Sequence, residues 1–166
     1  MSVFIGIDPG LSGALVAING EGGVVDQLIM PRTNGSKGPL DTGCILSWLV
    51  DVRQGGSMYA ALEKVSTRPG QGATSTLTCG VNWGRLDALL VALGVKYVVP
   101  TPQQWKRALS LPKRSGKERA QGKVDAVQLV RSLFPDMDLS PGKRRVPHDG
   151  LADAVLIAEY ARRSLG

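Results

Sequence analysis

Four carboxylates stand where a folded chain has little structural use for charge. Asp8 closes an apolar run, "SVFIGID", and precedes Pro9-Gly10. Glu63 interrupts a second apolar run, "SMYAALEKV". Asp149 and Asp153 lie four residues apart at the head of "DGLADAVLIAEYARRSL", so a helix there would present both on one face. A buried carboxylate is costly unless positive charge or donors meet it, and several brought together repel one another. A divalent cation relieves both costs. Oxygen-only ligands select hard ions, Mg²⁺ or Mn²⁺, whereas one histidine, His148, and two isolated cysteines, Cys44 and Cys79, make no zinc set.

Each acid alone has a plainer reading. Asp8 before Pro-Gly suits a turn, and Glu63 could pair with a buried arginine. Asp149 could cap the last helix, and His148 could be an exposed or capping residue. Asp153, set among Ala, Val, Leu and Ile, has the weakest alternative. The joint reading depends on elements that bring the four together.

The apolar pattern supplies such elements. "SVFIGID", "ALVAING" and "VVDQLIM" read as strands joined by short Gly-rich links, hence an antiparallel meander. "LDTGCILSWLVDVRQ" reads as a helix capped near Asp41 or Thr42, and "SMYAALEKV" as a fourth strand carrying Glu63. After a loop, "STRPGQGATST", a long helix runs through "LTCGVNWGRLDALLVALG" and stops at Gly94. "KYVVP" is a fifth strand, and "TPQQWKRALSL" a helix with Thr101 as N-cap and Pro102 at its first position. "KVDAVQLVRSLF" and the segment from Asp149 onward close the chain as helices. The order implies an α/β fold, a five-stranded mixed sheet flanked by helices, in one domain over residues 1–166. Parallel pairing of the first and fourth strands would bring Asp8 and Glu63 to the same sheet end.

With 43% apolar and 20% charged residues, the 166-residue chain can bury a substantial core. It has no run approaching the roughly 18 apolar residues of a membrane span, and no basic segment ahead of an apolar one, which predicts no secretory signal. The isolated cysteines point to a reducing cytoplasm. The net charge of +6 is confined to residues 101–166, which carry thirteen Lys/Arg against seven Asp/Glu. In "WKRALSLPKRSGKERAQGK", Lys106, Arg107, Lys113, Arg114, Lys117, Arg119 and Lys123 face one acid, Glu118; Lys143-Arg144-Arg145 form a second cluster. A solvated face is the plain reading of a charge run, but concentration in one segment favours a polyanion such as nucleic acid.

"IGIDPGLSGALVAI", "ALEKV", "WKRAL", "GKVDAVQLV" and "HDGLADAVLIA", in this order from Ile5 to about Ala158, resemble the successive motifs of RuvC-type Holliday junction resolvases. These form a branch of the ribonuclease H-like nucleases that includes phage members, and the short chain is similar to phage-borne forms, which would act in the host cytoplasm. The resemblance implies a ribonuclease H-like fold, with Asp8, Glu63 and Asp153 as metal-binding catalytic acids serving two Mg²⁺ (or Mn²⁺) ions per active site. The family's third acid sits three residues before the last, which is Gly150 here. Asp149, four before, stays on the same helix face and can take the role, with His148 as an alternative ligand or proton carrier. Lys106 and Lys123 match lysines that the family places near the scissile phosphate. The loop with Arg68 and Gln71 resembles the element that enters the junction centre. Arg107, Lys113, Arg114, Lys117, Arg119, Lys143, Arg144 and Arg145 are expected on DNA.

The helix bearing Leu77, Val81, Leu86, Leu89, Leu90 and Leu93 matches in position the one through which family members dimerise, and a two-fold dimer suits two symmetric cuts. Trp48, Trp83 and Trp105 are candidates for stacking on bases. The implied activity is paired symmetric nicking of four-way junctions, leaving 5′-phosphate and 3′-hydroxyl ends. A ribonuclease H-like nuclease acting on RNA or RNA–DNA hybrid would use the same acids. A sugar-kinase or actin-like ATPase also opens strand–Asp–x–Gly but needs two such domains. A non-catalytic branched-DNA-binding protein would gain from losing acids near phosphate.

Overall fold

The computed structural model describes residues 2–35, 38–66, 70, 72–114, 116–143 and 145–166, Arg119 by its backbone alone. Its central element is β1 (Val3–Asp8), flanked by β2 (Ala14–Asn19) and β4 (Met58–Leu62). β3 (Val24–Ile29) and β5 (Lys96–Val98) complete a sheet of order β3-β2-β1-β4-β5. β1, β2 and β3 form an antiparallel meander, while β4 and β5 run parallel to β1. The helices are α1 (Thr42–Arg53), α2 (Ala73–Ala92), α3 (Pro102–Ala108), α4 (Arg119–Leu133) and α5 (Asp149–Leu165). The five-stranded mixed sheet with flanking helices is the architecture the sequence predicts. None of the described helices is long and apolar enough to cross a membrane.

β1 is apolar on both faces because helices cover both. Val3, Ile5 and Ile7 pack with Ile45, Trp48 and Leu49 of α1 and with Leu86 and Leu90 of α2. Phe4 points the other way, among Leu151, Val155 and Ala158 of α5 and Val130 of α4. Gly6 shares that second face. A Cβ at Gly6 would overlap the Ala154 carbonyl and the Ala158 amide and stand 2.9 Å from the Ala158 Cα. α5 therefore rests directly on strand backbone, an approach that only glycine permits.

Three differences in element ends bear on the helices and the site. α2 begins at Ala73, not after Thr76, and α4 begins at Arg119, not at Lys123. Both extra turns consist of small or polar residues without an apolar period, so the pattern carries no trace of them; they continue helices anchored further along. β4 ends at Leu62, and Glu63 lies just beyond it, still tied to the sheet by a 3.1 Å hydrogen bond from its N–H to the Ile7 carbonyl.

Substituting Gly6→Ala is expected to cost about 3 kcal/mol of stability by forcing α5 off the sheet. Gly20→Ala, where a Cβ meets nothing within 4 Å, should stay within roughly 0.5 kcal/mol of the parent. Urea unfolding of the two variants checks this; equal stabilities would mean that α5 does not pack on β1 in this register.

Candidate active site

Asp8 and Glu63 leave the sheet side by side. In the parallel register Ile7 pairs with Leu62, so the next residues of the two chains are neighbours. Phe4 and Ala61 show that the matching parity of each strand faces α5. Asp8 and Glu63 continue that parity. From the helix side, Asp153 immediately precedes Ala154, whose carbonyl sits over Gly6. The strand pairing and the Gly6 contact thus bring three carboxylates to one sheet end. All three are half-buried.

Their electrostatics follow from this crowding. Burial pushes the Asp8 carboxyl up, opposed by the Gly10 N–H, which donates to Oδ1 at 3.0 Å, and by the charge of Lys106. The turn role open to Asp8 is thus real and coexists with its place in the cluster. Burial pushes Glu63 up to about 7; a hydrogen bond from Trp105 opposes this, Asp8 and Asp153 add to it, and Lys106 opposes it. Burial likewise raises Asp153 to about 6, with Lys106 and Lys123 opposing and Asp8 and Asp149 adding. Among the described residues, Lys106 is the cation felt by all three acids. Its ammonium lies 5.0 Å from the ring centroid of Trp105.

Position 150 is closed to a side chain. A Cβ at Gly150 would overlap the Ser12 carbonyl and stand 2.7 Å from the Gly13 Cα. No side chain fits three residues before Asp153, and the nearest acid is Asp149. Asp149 is exposed at the first turn of α5 and forms an ion pair with Lys123 of α4. That hydrogen bond and the charge behind it raise the Lys123 pKa. His148, buried, is the N-cap of α5: its Nδ1 accepts from the Leu151 N–H at 3.2 Å. This is the capping alternative, and it commits Nδ1 away from a ligand role.

Among the expected DNA contacts, Arg107, Lys113, Lys117, Lys143 and Arg145 are exposed. Arg114 pairs through Nε with Asp125 of α4 at 3.0 Å. Arg68, Gln71, Arg144 and the side chain of Arg119 lie outside the described residues. Base stacking is not open to two of the tryptophans: Trp105 is fully buried and Trp48 nearly so, its indole donating to Asp26 at 2.8 Å. Trp83 is half-buried and donates to the Glu63 carbonyl at 3.0 Å. α2 divides into an inner face, with Leu86 and Leu90 buried, and an outer one, with Leu77 68% and Val91 63% exposed.

Trp105, a candidate for base stacking by its sequence, sits instead against one of the acids. Trp105 donates from its indole to Glu63 Oε1 at 2.8 Å. The aromatic residue preceding Lys106 was the available signal, but nothing local to it shows which acceptor it reaches.

The donor set suits a hard divalent cation. Asp8, Glu63 and Asp153 supply only oxygens, and none of them is in an ion pair among the described residues. Their burial and mutual repulsion leave a net demand for positive charge. As placed, no three His, Cys, Asp or Glu side chains among the described residues are grouped closely enough to hold a metal ion, so these carboxylates would have to draw together around one. Asp8, Glu63 and Asp153 would hold such an ion, with Asp149 beside them.

No protein-family model and no curated protein sequence matches the chain. Solved structures do. RuvC of Thermus thermophilus in complex with a Holliday junction substrate superposes with a TM-score of 0.65 at 21% identity, covering 98% of this chain and 96% of that one. Another Thermus thermophilus RuvC structure gives a TM-score of 0.58 at 21% identity, covering 94% and 90%. The fold of this chain is therefore that of RuvC, the ribonuclease H-like fold implied by the sequence motifs.

Carboxyls with raised pKa hold protons more tightly folded than unfolded. In metal-free protein their contribution favours the fold at low pH and is lost as pH rises from the ordinary carboxylate range through about 7. With chelator at pH 8, Glu63→Gln and Asp153→Asn should each gain roughly 2 kcal/mol, melting about 4–8 °C above the parent. The gain should fade near pH 5. Variants that melt below the parent at pH 8 would show that the protein itself compensates these charges.

Proposed function

We propose that this chain is a metal-dependent endodeoxyribonuclease that resolves four-way DNA junctions by paired symmetric nicks. The observation that carries this reading is the meeting of Asp8, Glu63 and Asp153 around Lys106 at one end of the sheet. The confinement of net positive charge to residues beyond 100 supports a nucleic-acid substrate. The likeness to a RuvC structure bound to a Holliday junction substrate supports a branched one.

Two Mg²⁺ (or Mn²⁺) ions, when bound, would polarise the scissile phosphate and lower the pKa of the attacking water. Asp8, at the end of the central strand, would hold these ions together with Glu63 and Asp153. Asp149 joins them when it parts from Lys123. Lys106, and Lys123 once released, offset the charge that builds on the phosphate oxygens. The attacking water oxygen goes to phosphorus and the bond to the 3′ oxygen breaks, leaving 5′-phosphate and 3′-hydroxyl ends. Exposed Arg107, Lys113, Lys117, Lys143 and Arg145 neutralise neighbouring phosphates.

Two symmetric cuts call for two active sites. Leu77, Val81 and Val91 make an exposed apolar face on α2, beside a groove lined by Arg32, Pro39 and Arg85, and a second copy of this chain seated there makes a homodimer. The single domain and a cytoplasmic setting belong to the same proposal.

An end-labelled four-way junction, the matching linear duplex and an RNA–DNA hybrid, each incubated with Mg²⁺, Mn²⁺ or chelator, form the test. The junction should receive paired nicks only with metal, while the duplex survives. Asp8→Asn should bind the junction and lose on the order of 10²–10³-fold or more in rate. Cleavage of the hybrid alone would leave the acids in place but overturn the substrate. Leu77→Asp combined with Val81→Asp should give a monomer by light scattering that leaves single, unpaired nicks.

A further inference from the structure

Two of the three tryptophans meet one residue. Glu63 lies one position beyond β4. Its N–H reaches the Ile7 carbonyl at 3.1 Å, and its own carbonyl accepts from Trp83 Nε1 at 3.0 Å. Its Oε1 accepts from Trp105 Nε1 at 2.8 Å. Trp83 comes from α2 on one face of the sheet, and Trp105 from α3 on the other.

α3 is built to aim Trp105. A reciprocal capping box starts it: the Gln104 N–H donates to Thr101 Oγ1 at 3.3 Å, and the Thr101 N–H to Gln104 Oε1 at 2.7 Å. Pro102 sits in the first turn. Trp105 is fully buried in the core beneath α5. A buried indole needs one acceptor, and a backbone carbonyl would serve, as it does for Trp83. Spending a carboxylate on it instead would be a poor structural choice, since the charge costs more to bury than the bond returns.

We propose that Trp105 is a positioning residue: its indole N–H holds Glu63 Oε1, so that Glu63 presents Oε2 to a divalent cation, while its ring face supports the Lys106 ammonium over the same site. This rests on the reading of Asp8, Glu63 and Asp153 as the cation site. An indole is only a donor, so it fixes the carboxylate without competing as a ligand. Hydrogen-bonding partners of this kind, acting one shell behind a metal, are commonly worth 10–100-fold in metal affinity. Residues 105 and 106 are consecutive on one short helix, which ties the acid's orientation to the placement of the cation above it.

The test uses the full chain and Mn²⁺ alone as probe. Trp105→Phe keeps a ring beneath Lys106 and removes the N–H. Replacing Trp105 by 3-benzothienylalanine, with sulfur in place of N–H, preserves shape should the phenylalanine variant fail to fold. Either should bind Mn²⁺ about 10–100-fold more weakly by electron paramagnetic resonance, with unchanged far-ultraviolet circular dichroism and unchanged junction affinity in chelator. In the ¹⁵N spectrum of the unaltered protein, Mg²⁺ should move the Trp105 indole resonance and leave that of Trp48 in place. Unweakened Mn²⁺ binding together with a static Trp105 indole overturns the proposal. If Asp8→Asn and Glu63→Gln abolish Mn²⁺ binding in that case, only the positioning role falls. If they too bind normally, the cation site falls with it.

Discussion

A helix resting on the bare backbone of the central strand sets the geometry of everything else. Where α5 crosses β1, Gly6 faces Ala154 and Ala158, and one turn earlier Gly150 meets the Ser12–Gly13 backbone. Glycine at 6 and at 150 lets the backbones approach to a distance that excludes a Cβ at either position. A close contact of this kind cannot rotate or slide without overlap, because interiors are packed too densely to absorb the change. Leu151, Val155, Leu156 and Ile157 hold the helix down by burial. Asp153 then has one direction available, toward the end of β1 where Asp8 and Glu63 emerge.

The protein shows in two places what it does with a buried acid. Glu159, further along α5, has a side chain only 4% exposed, yet its pKa is lowered. Burial alone would raise it, but hydrogen bonds from Arg162 and Arg163 at 2.7–2.8 Å overcome that. At Glu63 and Asp153 no ion pair forms among the described residues. The charge of Lys106 at both, that of Lys123 at Asp153 and the Trp105 indole at Glu63 oppose burial without overcoming it. These charges are kept undercompensated, at a cost in stability that a folded scaffold can carry when the site is wanted open. Asp149 is intermediate, exposed and held by Lys123 in a pair that solvent screens.

Much of this was legible in the sequence because it has a period or a fixed chemistry. The apolar run from Val3 to Ile7 marks a strand covered on both faces, and Thr101-Pro102 marks a helix start that the structure realises as a capping box. The acids stood out by interrupting apolar runs. What was illegible depends on contacts distant along the chain. That position 150 excludes a side chain follows from a loop more than a hundred residues away. That Arg114 faces Asp125 follows from the turn between α3 and α4, with Gly122 leaving room for its stem. Trp105 looked like a stacking platform because a lone indole carries no mark of the acceptor it will find. The first turns of α2 and α4 were missed because small and polar residues leave no apolar period to read.

The central claim is that Asp8, Glu63 and Asp153 converge in order to hold divalent cations. Anomalous diffraction from crystals soaked in Mn²⁺ tests this most directly. The account predicts anomalous density beside the Asp8 carboxylate, within reach of Glu63 and Asp153. Crystals that take up Mn²⁺ only elsewhere, with these three carboxylates bare or protonated at pH 8, would contradict it.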